Sequence, residues 1–144
     1  MITVKEMLKD KTGGTLTISP QETVYKGLEV MAEKNLGALV VVKGEKVVGM
    51  FSERDYARNV VLKGKSSKDT LIKDLMSANP CYVRPDQTLD ECLVLFTEKR
   101  VRHLPVLDGE KLIGIVSIGD AVKQYVADKE FTIRQLENYI SGDM

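Results

Sequence analysis

The chain has 144 residues, of which 43% are hydrophobic and 29% are charged, and these fractions are typical of a folded globular protein. Its 21 basic and 21 acidic residues cancel, so the basic excess that nonspecific nucleic-acid binding requires is absent, and we expect no nucleic-acid partner. One histidine and two cysteines are too few for a zinc-type cluster within one chain, so we expect no metal.

The chain begins with MITVKEMLKD, which includes acidic residues and has no apolar signal core. The longest apolar run, Ala38 to Val42, is far shorter than the roughly 20 residues that span a bilayer. We therefore expect a cytoplasmic protein with no membrane partner.

The first half of the chain predicts the element order β-α-β-β-α. After the amphipathic opening VKEMLKD comes a short extended piece, LTISP. Thr23 is a candidate N-cap for a helix in which Val24, Leu28 and Met31 recur at helical spacing. The stretch ALVVVKGEKVVGMFS has two β-branched runs around a glycine-centred turn, which predicts a hairpin. Asp55 then opens a second helix, DYARNVVL.

The second half repeats the first. A shift of 65 positions aligns residues 15–62 with 80–127 without a gap and places Gly44-Glu45-Lys46 on Gly109-Glu110-Lys111, which indicates an internal duplication. We predict an α+β fold with one repeat at 1–62, a linker at 63–70, a second repeat at 71–128 and a C-terminal helix at 129–144. The apolar stripe Ile133, Leu136 and Ile140 of that helix would either pack on its own domain or form an oligomer contact.

Both repeats contain the motif Gly-apolar-apolar-Ser-x-x-Asp at a predicted strand-to-helix junction. Ser52 and Asp55, like Ser117 and Asp120, have the spacing of a helix capping box. The same position attracts phosphate, a carboxylate can accept hydrogen bonds from both hydroxyls of a ribose, and a serine can donate to phosphate. Capping and ligand binding both fit the spacing.

The duplicated pattern DLM…P…T…RHLPVLDGEKLIGIVSIGD resembles the cystathionine-β-synthase (CBS) domain, as a tandem pair that covers nearly the whole chain. Repeat one departs from the family pattern, because GALVVVKG lacks the proline often found there. The resemblance implies a Bateman module, in which two β-α-β-β-α repeats pack with pseudo-twofold symmetry. It also implies clefts that bind adenine-containing ligands.

The resemblance also implies which residues line those clefts. Asp55 and Asp120 would hold ribose hydroxyls, and Ser52 and Ser117 would lie near phosphate. Arg54, beside its aspartate, has a guanidinium suited to phosphate. The remaining implied lining residues are Thr17, Ile18, Ala38, Leu39, Cys81, Tyr82, Val83, Arg102, His103, Leu104 and Pro105.

The function that this resemblance implies is a regulatory module that senses an adenine nucleotide and signals to a partner protein. AMP is the first candidate ligand, with ATP, ADP, NAD and S-adenosylmethionine as alternatives, and we expect a homodimer. The alternative is an interaction or scaffold protein with vestigial clefts. We do not expect an enzyme, because the sequence nominates no nucleophile–base pair and no partner that would make His103 an acid–base catalyst.

Overall fold

The computed structural model describes residues 1–9 and 15–142. Its helices are α1 (Val4–Lys9), α2 (Val24–Lys34), α3 (Glu53–Tyr56), α4 (Leu89–Lys99) and α5 (Ile118–Ser141). Its strands are β1 (Thr17–Ile18), β2 (Ala38–Lys43), β3 (Lys46–Ser52), β4 (Ser77–Ala78), β5 (His103–Asp108) and β6 (Lys111–Ser117). A π-helical turn (Ala57–Val61) follows α3, and a 3₁₀ turn (Ile72–Asp74) precedes β4. The predicted α+β fold is confirmed.

The two hairpins have the same register, which makes the duplication visible in three dimensions. β2 and β3 pair with Ala38 opposite Ser52, and β5 and β6 pair with His103 opposite Ser117. Both hairpins shift register at equivalent places, after Val41 in one and after residue 106 in the other. β1 and β4 extend the first hairpin to a sheet of order β1-β2-β3-β4.

Threonine caps start the long helix of each repeat. The Oγ1 of Thr23 accepts a hydrogen bond from the amide of Lys26 at 3.1 Å, and that of Thr88 accepts one from the amide of Glu91 at 3.2 Å. These bonds satisfy amides that lack a partner within the helix, so the predicted N-caps are confirmed.

The N-terminal helix α1 packs on the core of the second repeat. Val4 and Met7 are buried there, in the cluster that contains Phe96 and Leu104. Three backbone hydrogen bonds fasten the segment: Val4 N to Gln87 O at 2.8 Å, Lys5 N to Pro85 O at 2.9 Å, and Leu89 N to Ile2 O at 2.8 Å.

The equivalent segment before the second repeat packs on the core of the first. Ile72 and Leu75 are buried in the cluster that contains Leu39 and Phe51. Its three backbone bonds match those of α1: Ile72 N to Glu22 O at 2.9 Å, Lys73 N to Pro20 O at 3.0 Å, and Val24 N to Thr70 O at 2.8 Å. The opening segments are therefore exchanged between the two cores.

The two hairpins also meet directly. Ala38, Val40 and Met50 form a buried cluster from β2 and β3, and Leu112 and Ile115 of β6 pack against it. Sheet faces sheet at this contact, and the matched hairpins and exchanged segments give the chain its pseudo-twofold symmetry.

The C-terminal region differs from the sequence-based division into two helices. α5 runs without a break from Ile118 to Ser141 and ends at Gly142, which has a left-handed φ of 80°. Residues 128–131, Asp-Lys-Glu-Phe, contain neither glycine nor proline, so nothing there interrupts helical hydrogen bonding. Ala121 is buried against the second core, whereas residues 125–142 are exposed.

Candidate functional site

A cleft of about 550 Å³ opens between the two repeats. One wall is the junction of β3 with α3, and the opposite wall is the connection from α4 to β5. Six of the sequence-predicted site residues line it, namely Ala38, Ser52, Arg54, Asp55, Arg102 and His103. Residues predicted from separate repeats are thus brought together in one cleft.

Ser52 and Asp55 form a complete capping box at the edge of this cleft. The amide of Ser52 donates to Asp55 Oδ2 at 2.9 Å, and the amide of Asp55 donates to Ser52 Oγ at 3.3 Å. The Ser52 hydroxyl also lies 3.0 Å from Asp55 Oδ2. A carboxylate has about four lone-pair sites, so capping leaves Asp55 able to accept further hydrogen bonds from a ligand.

Ser117 and Asp120 form the equivalent box at the start of α5. The amide of Ser117 donates to Asp120 Oδ2 at 3.3 Å, and the amide of Asp120 donates to Ser117 Oγ at 3.0 Å. These two residues are half-buried and do not line the cleft that contains Asp55. The capping interpretation of the repeated motif is therefore realised in both repeats, and Asp55 additionally faces a cleft.

The cleft concentrates positive charge in a chain whose net charge is zero. Among the described lining residues, the basic side chains outnumber the acidic ones, Glu53 and Asp55, by three. The basic side chains are Arg54, Arg58, Lys99, Arg100 and Arg102. They come from both walls, so an anion between the walls would be attracted from two sides.

His103, the first residue of β5, lies beside Gly37 of the first repeat. A Cβ built on Gly37 would lie 3.7 Å from Cε1 and 3.8 Å from Nε2 of His103, so the imidazole lies against the glycine backbone. The amide of Glu53 donates to Gly37 O at 3.1 Å, and that of Ile118 donates to Arg102 O at 2.9 Å. In each repeat, the matched bond therefore ties the first residue of the helix to the residue before the adjacent strand, β2 in repeat one and β5 in repeat two.

Two further predicted residues, Thr17 and Tyr82, line a second groove between the turns of the hairpins. Its volume is about 1580 Å³. The guanidinium of Arg84 lies 5.4 Å from the Tyr82 ring centroid and donates to the Tyr82 hydroxyl at 3.4 Å. This groove lies at the opposite end of the hairpins from the cleft of Asp55.

The remaining predicted residues belong to the cores. Ile18, Leu39, Val83, Leu104 and Pro105 are buried, so their side chains are occupied by packing. Cys81 is half-buried and packs beside the second core. The other cysteine, Cys92, is fully buried, and this burial, with a smaller effect of the Glu91 charge, raises its pKa from 9.0 to about 11.

Three of the five basic side chains that line the cleft were not predicted as site residues. Lys99 and Arg100 are two of them, although the run EKRVRH at 98–103, between the predicted helix and strand of repeat two, contains three basic residues. Arg58 lies on the π-helical turn, and this turn places its exposed side chain at the cleft. Within the described ranges, no group of three or more histidine, cysteine, aspartate or glutamate residues is arranged to hold a metal ion.

The sequence pattern of the CBS domain matches residues 3–62 and 72–127. The chain is 36% identical over 149 residues to the mitochondrial CBS domain-containing protein CBSX3 of Arabidopsis thaliana, covering 97% of this chain and 72% of the relative. The chain therefore belongs to the CBS-domain family, as a tandem pair.

Solved structures share this fold. A protein with CBS domains from Burkholderia ambifaria is 49% identical, with a TM-score of 0.83 over 88% of this chain and 95% of that one. CBSX2, solved in complex with AMP, is 27% identical, with a TM-score of 0.71 over 90% of this chain and 99% of that one. The hexameric CBS-CP12 protein from bloom-forming cyanobacteria is 27% identical, with a TM-score of 0.77 over 85% of this chain and 70% of that one.

CBS pairs of this kind are regulatory modules, and some of them bind nucleotides. In the part of the chain that the structure describes, no helix combines the length and the apolar character needed to cross a bilayer.

Proposed function

We propose that this protein is a regulatory module that binds an adenine nucleotide in the cleft between its repeats and passes the binding signal to a partner protein. The observation that carries the proposal is the cleft itself, where Asp55, the capping serine and basic side chains from both walls face one space of about 550 Å³. That volume lies within the range of small-molecule sites.

Asp55 is the proposed ribose contact. Its Oδ2 is engaged in the capping box, which fixes the carboxylate in one orientation at the cleft edge. A carboxylate held in this way is a good acceptor for the two hydroxyls of a ribose, because little conformational entropy of the aspartate is lost on binding.

Arg54 and Arg102 are the proposed phosphate contacts. They line the cleft from different repeats, and a guanidinium can donate two parallel hydrogen bonds to phosphate oxygens. A ligand that joins them would hold the repeats at one relative angle. Regulation follows if the partner protein distinguishes that angle from others, because a ligand shifts an equilibrium only through different affinities for its states.

AMP, ADP, ATP and NAD share the adenosine 5′-phosphate that this arrangement fits. The AMP complex of CBSX2 supports this class. S-adenosylmethionine has the ribose but no phosphate, so it would use Asp55 and leave the arginines without an anion. We propose a regulatory rather than a catalytic role, because CBS pairs are regulatory modules. The cytoplasmic location stays a prediction, and CBSX3 of Arabidopsis is named as mitochondrial.

We propose that the protein is a homodimer in which α5 pairs with α5 of a second copy. Val122, Val126, Ile133, Leu136 and Ile140 follow a heptad-like spacing along this helix, and each is about half exposed or more. Antiparallel pairing centred near residue 131 would place Val122 against Ile140 and Val126 against Leu136.

The same pairing brings opposite charges together. It would place Lys123 near Glu137 of the second copy at both ends of the contact, whereas a parallel pair offers no such match.

Light scattering on Leu136→Lys should show a monomer where the wild type shows a dimer. Gln135→Lys, which adds the same charge on the neighbouring residue, should remain dimeric, and a dimeric Leu136→Lys would contradict the proposal.

The experiment that tests nucleotide binding compares Asp55→Ala with Asp120→Ala. Both substitutions remove one capping box and should cost about 1 kcal/mol of folding free energy each. Only Asp55 lines the cleft, so only Asp55→Ala should weaken binding in a thermal-shift panel of AMP, ADP, ATP, NAD and S-adenosylmethionine. A ligand at about 100 times its Kd adds roughly 2.7 kcal/mol to stability, which this assay resolves.

A flat panel with both variants merely less stable would contradict the proposal. In that case the alternative, an interaction or scaffold protein with vestigial clefts, would be favoured, because both aspartates would serve only as caps.

A further inference from the structure

Arg100 occupies a backbone conformation that does not suit an arginine. It is the C-cap of α4, with φ 54° and ψ 41°, in the left-handed region. Glycine and asparagine favour this region at helix ends, and other residues adopt it at a cost in free energy. The equivalent C-cap of α2 is Asn35, with φ 55° and ψ 51°, which follows the usual preference.

The fold does not gain from this arginine through burial. The Arg100 side chain is exposed and lines the cleft, next to Lys99, which is also exposed. A strained residue that faces a cleft and adds no core packing is best explained by what the cleft binds. A phosphate contact fits, because a guanidinium binds phosphate oxygens in pairs.

The position of Arg100 extends the positive charge beyond the two arginines already assigned to phosphate. Arg54 and Arg58 stand on the α3 wall, while Lys99, Arg100 and Arg102 stand on the α4–β5 wall. One phosphate group can contact one or two of these basic side chains at hydrogen-bond distance. A chain of two or three phosphates carries enough charge and length to contact Arg100 in addition to Arg54 and Arg102.

We propose that the cleft prefers a nucleoside di- or triphosphate to a monophosphate, and that Arg100 is the residue that recognises the additional phosphates. This inference rests on the proposed function, because it assumes that the ligand's adenosine end lies at Asp55. It goes further by assigning Arg100 a specificity role at the expense of folding stability.

The test is Arg100→Asn, which places the same residue type at this C-cap as at Asn35. The unliganded variant should be at least as stable as the wild type, since asparagine tolerates the left-handed conformation. Its affinity for ATP, measured by titration calorimetry without added divalent cation, should fall about tenfold, whereas its affinity for AMP should change less than about twofold. Arg134→Asn, the same substitution on the exposed part of α5, should leave both affinities unchanged.

Titrations with inorganic tripolyphosphate and phosphate, which have no adenosine, test the role of Arg100 separately from nucleotide binding. Loss of AMP and ATP affinity by equal factors in Arg100→Asn, or no loss at all, would overturn the inference while nucleotide binding stands. Tripolyphosphate binding that depends on Arg100, with no binding of any adenine nucleotide, would support Arg100 as a polyphosphate contact and overturn the proposed function. If neither tripolyphosphate nor nucleotides bind the wild type, both are overturned.

Discussion

The exchange of opening segments predicts that a substitution near the N-terminus loosens the second repeat rather than the first. Met7 and Leu75 are equivalent residues, 5% and 8% exposed, on segments that pack into opposite cores. Replacing either by alanine removes a buried apolar side chain and leaves a cavity. For buried Met and Leu, this change costs about 2–5 kcal/mol. We expect both variants to fall in this range in urea unfolding.

Hydrogen exchange under native conditions locates the damage, because it reports partial openings separately from global unfolding. Met7→Ala should reduce protection mainly in the hairpin β5–β6, although residue 7 is about a hundred positions away in the sequence. Leu75→Ala should reduce protection mainly in β2–β3. A larger loss in β2–β3 for Met7→Ala would refute the exchanged packing.

Two further pairs of residues give contrasts of the same kind. A Cβ on Gly49 would lie 2.9 Å from the backbone carbonyl oxygen of Ser77, whereas a Cβ on Gly114 would lie 2.8 Å from the side chain of Leu8. Because a side chain can move aside more easily than backbone, urea unfolding should show that Gly49→Ala is less stable than Gly114→Ala, by about 1–3 kcal/mol. With Ellman's reagent, Cys81 should react in the native protein and Cys92 only after unfolding. Because the pKa of Cys92 is raised on folding, its thiol ionises first in the unfolded chain, so stability should fall from about pH 9 to about pH 11, and Cys92→Ala should lack this part of the slope. Equal stabilities of Gly49→Ala and Gly114→Ala, or a rapid reaction of Cys92 with the reagent in the native protein, would contradict these expectations.

Most of the local structure of this chain could be predicted from the sequence, because it depends on neighbours in the chain. The threonine caps, the glycine-centred hairpins and the capping spacing of Ser52 with Asp55 are all properties of a few consecutive residues. The 65-residue repetition then predicts the same elements twice. The matched registers confirm this for the hairpins, whereas the segment of repeat two that is equivalent to β1 forms only an isolated bridge, Val83 to Val106.

What the sequence could not predict depends on contacts between distant segments. Periodicity shows that Val4 and Met7 form an apolar face, but either core could accept that face, and the structure places it on the second. The same limit applies to the cleft. Arg100 follows a helix in one repeat and Arg54 starts a helix in the other, and only the packing of the hairpins brings them to one space.

Nucleotide binding between the repeats can be tested directly by amide chemical-shift mapping of the labelled protein with ATP and with AMP. We expect saturable shifts concentrated at both walls of the cleft, in residues 50–55 and 99–103, with ATP perturbing Arg100 more than AMP does. Saturable shifts confined to the groove beside Tyr82, or no shifts at millimolar nucleotide, would contradict nucleotide binding between the repeats.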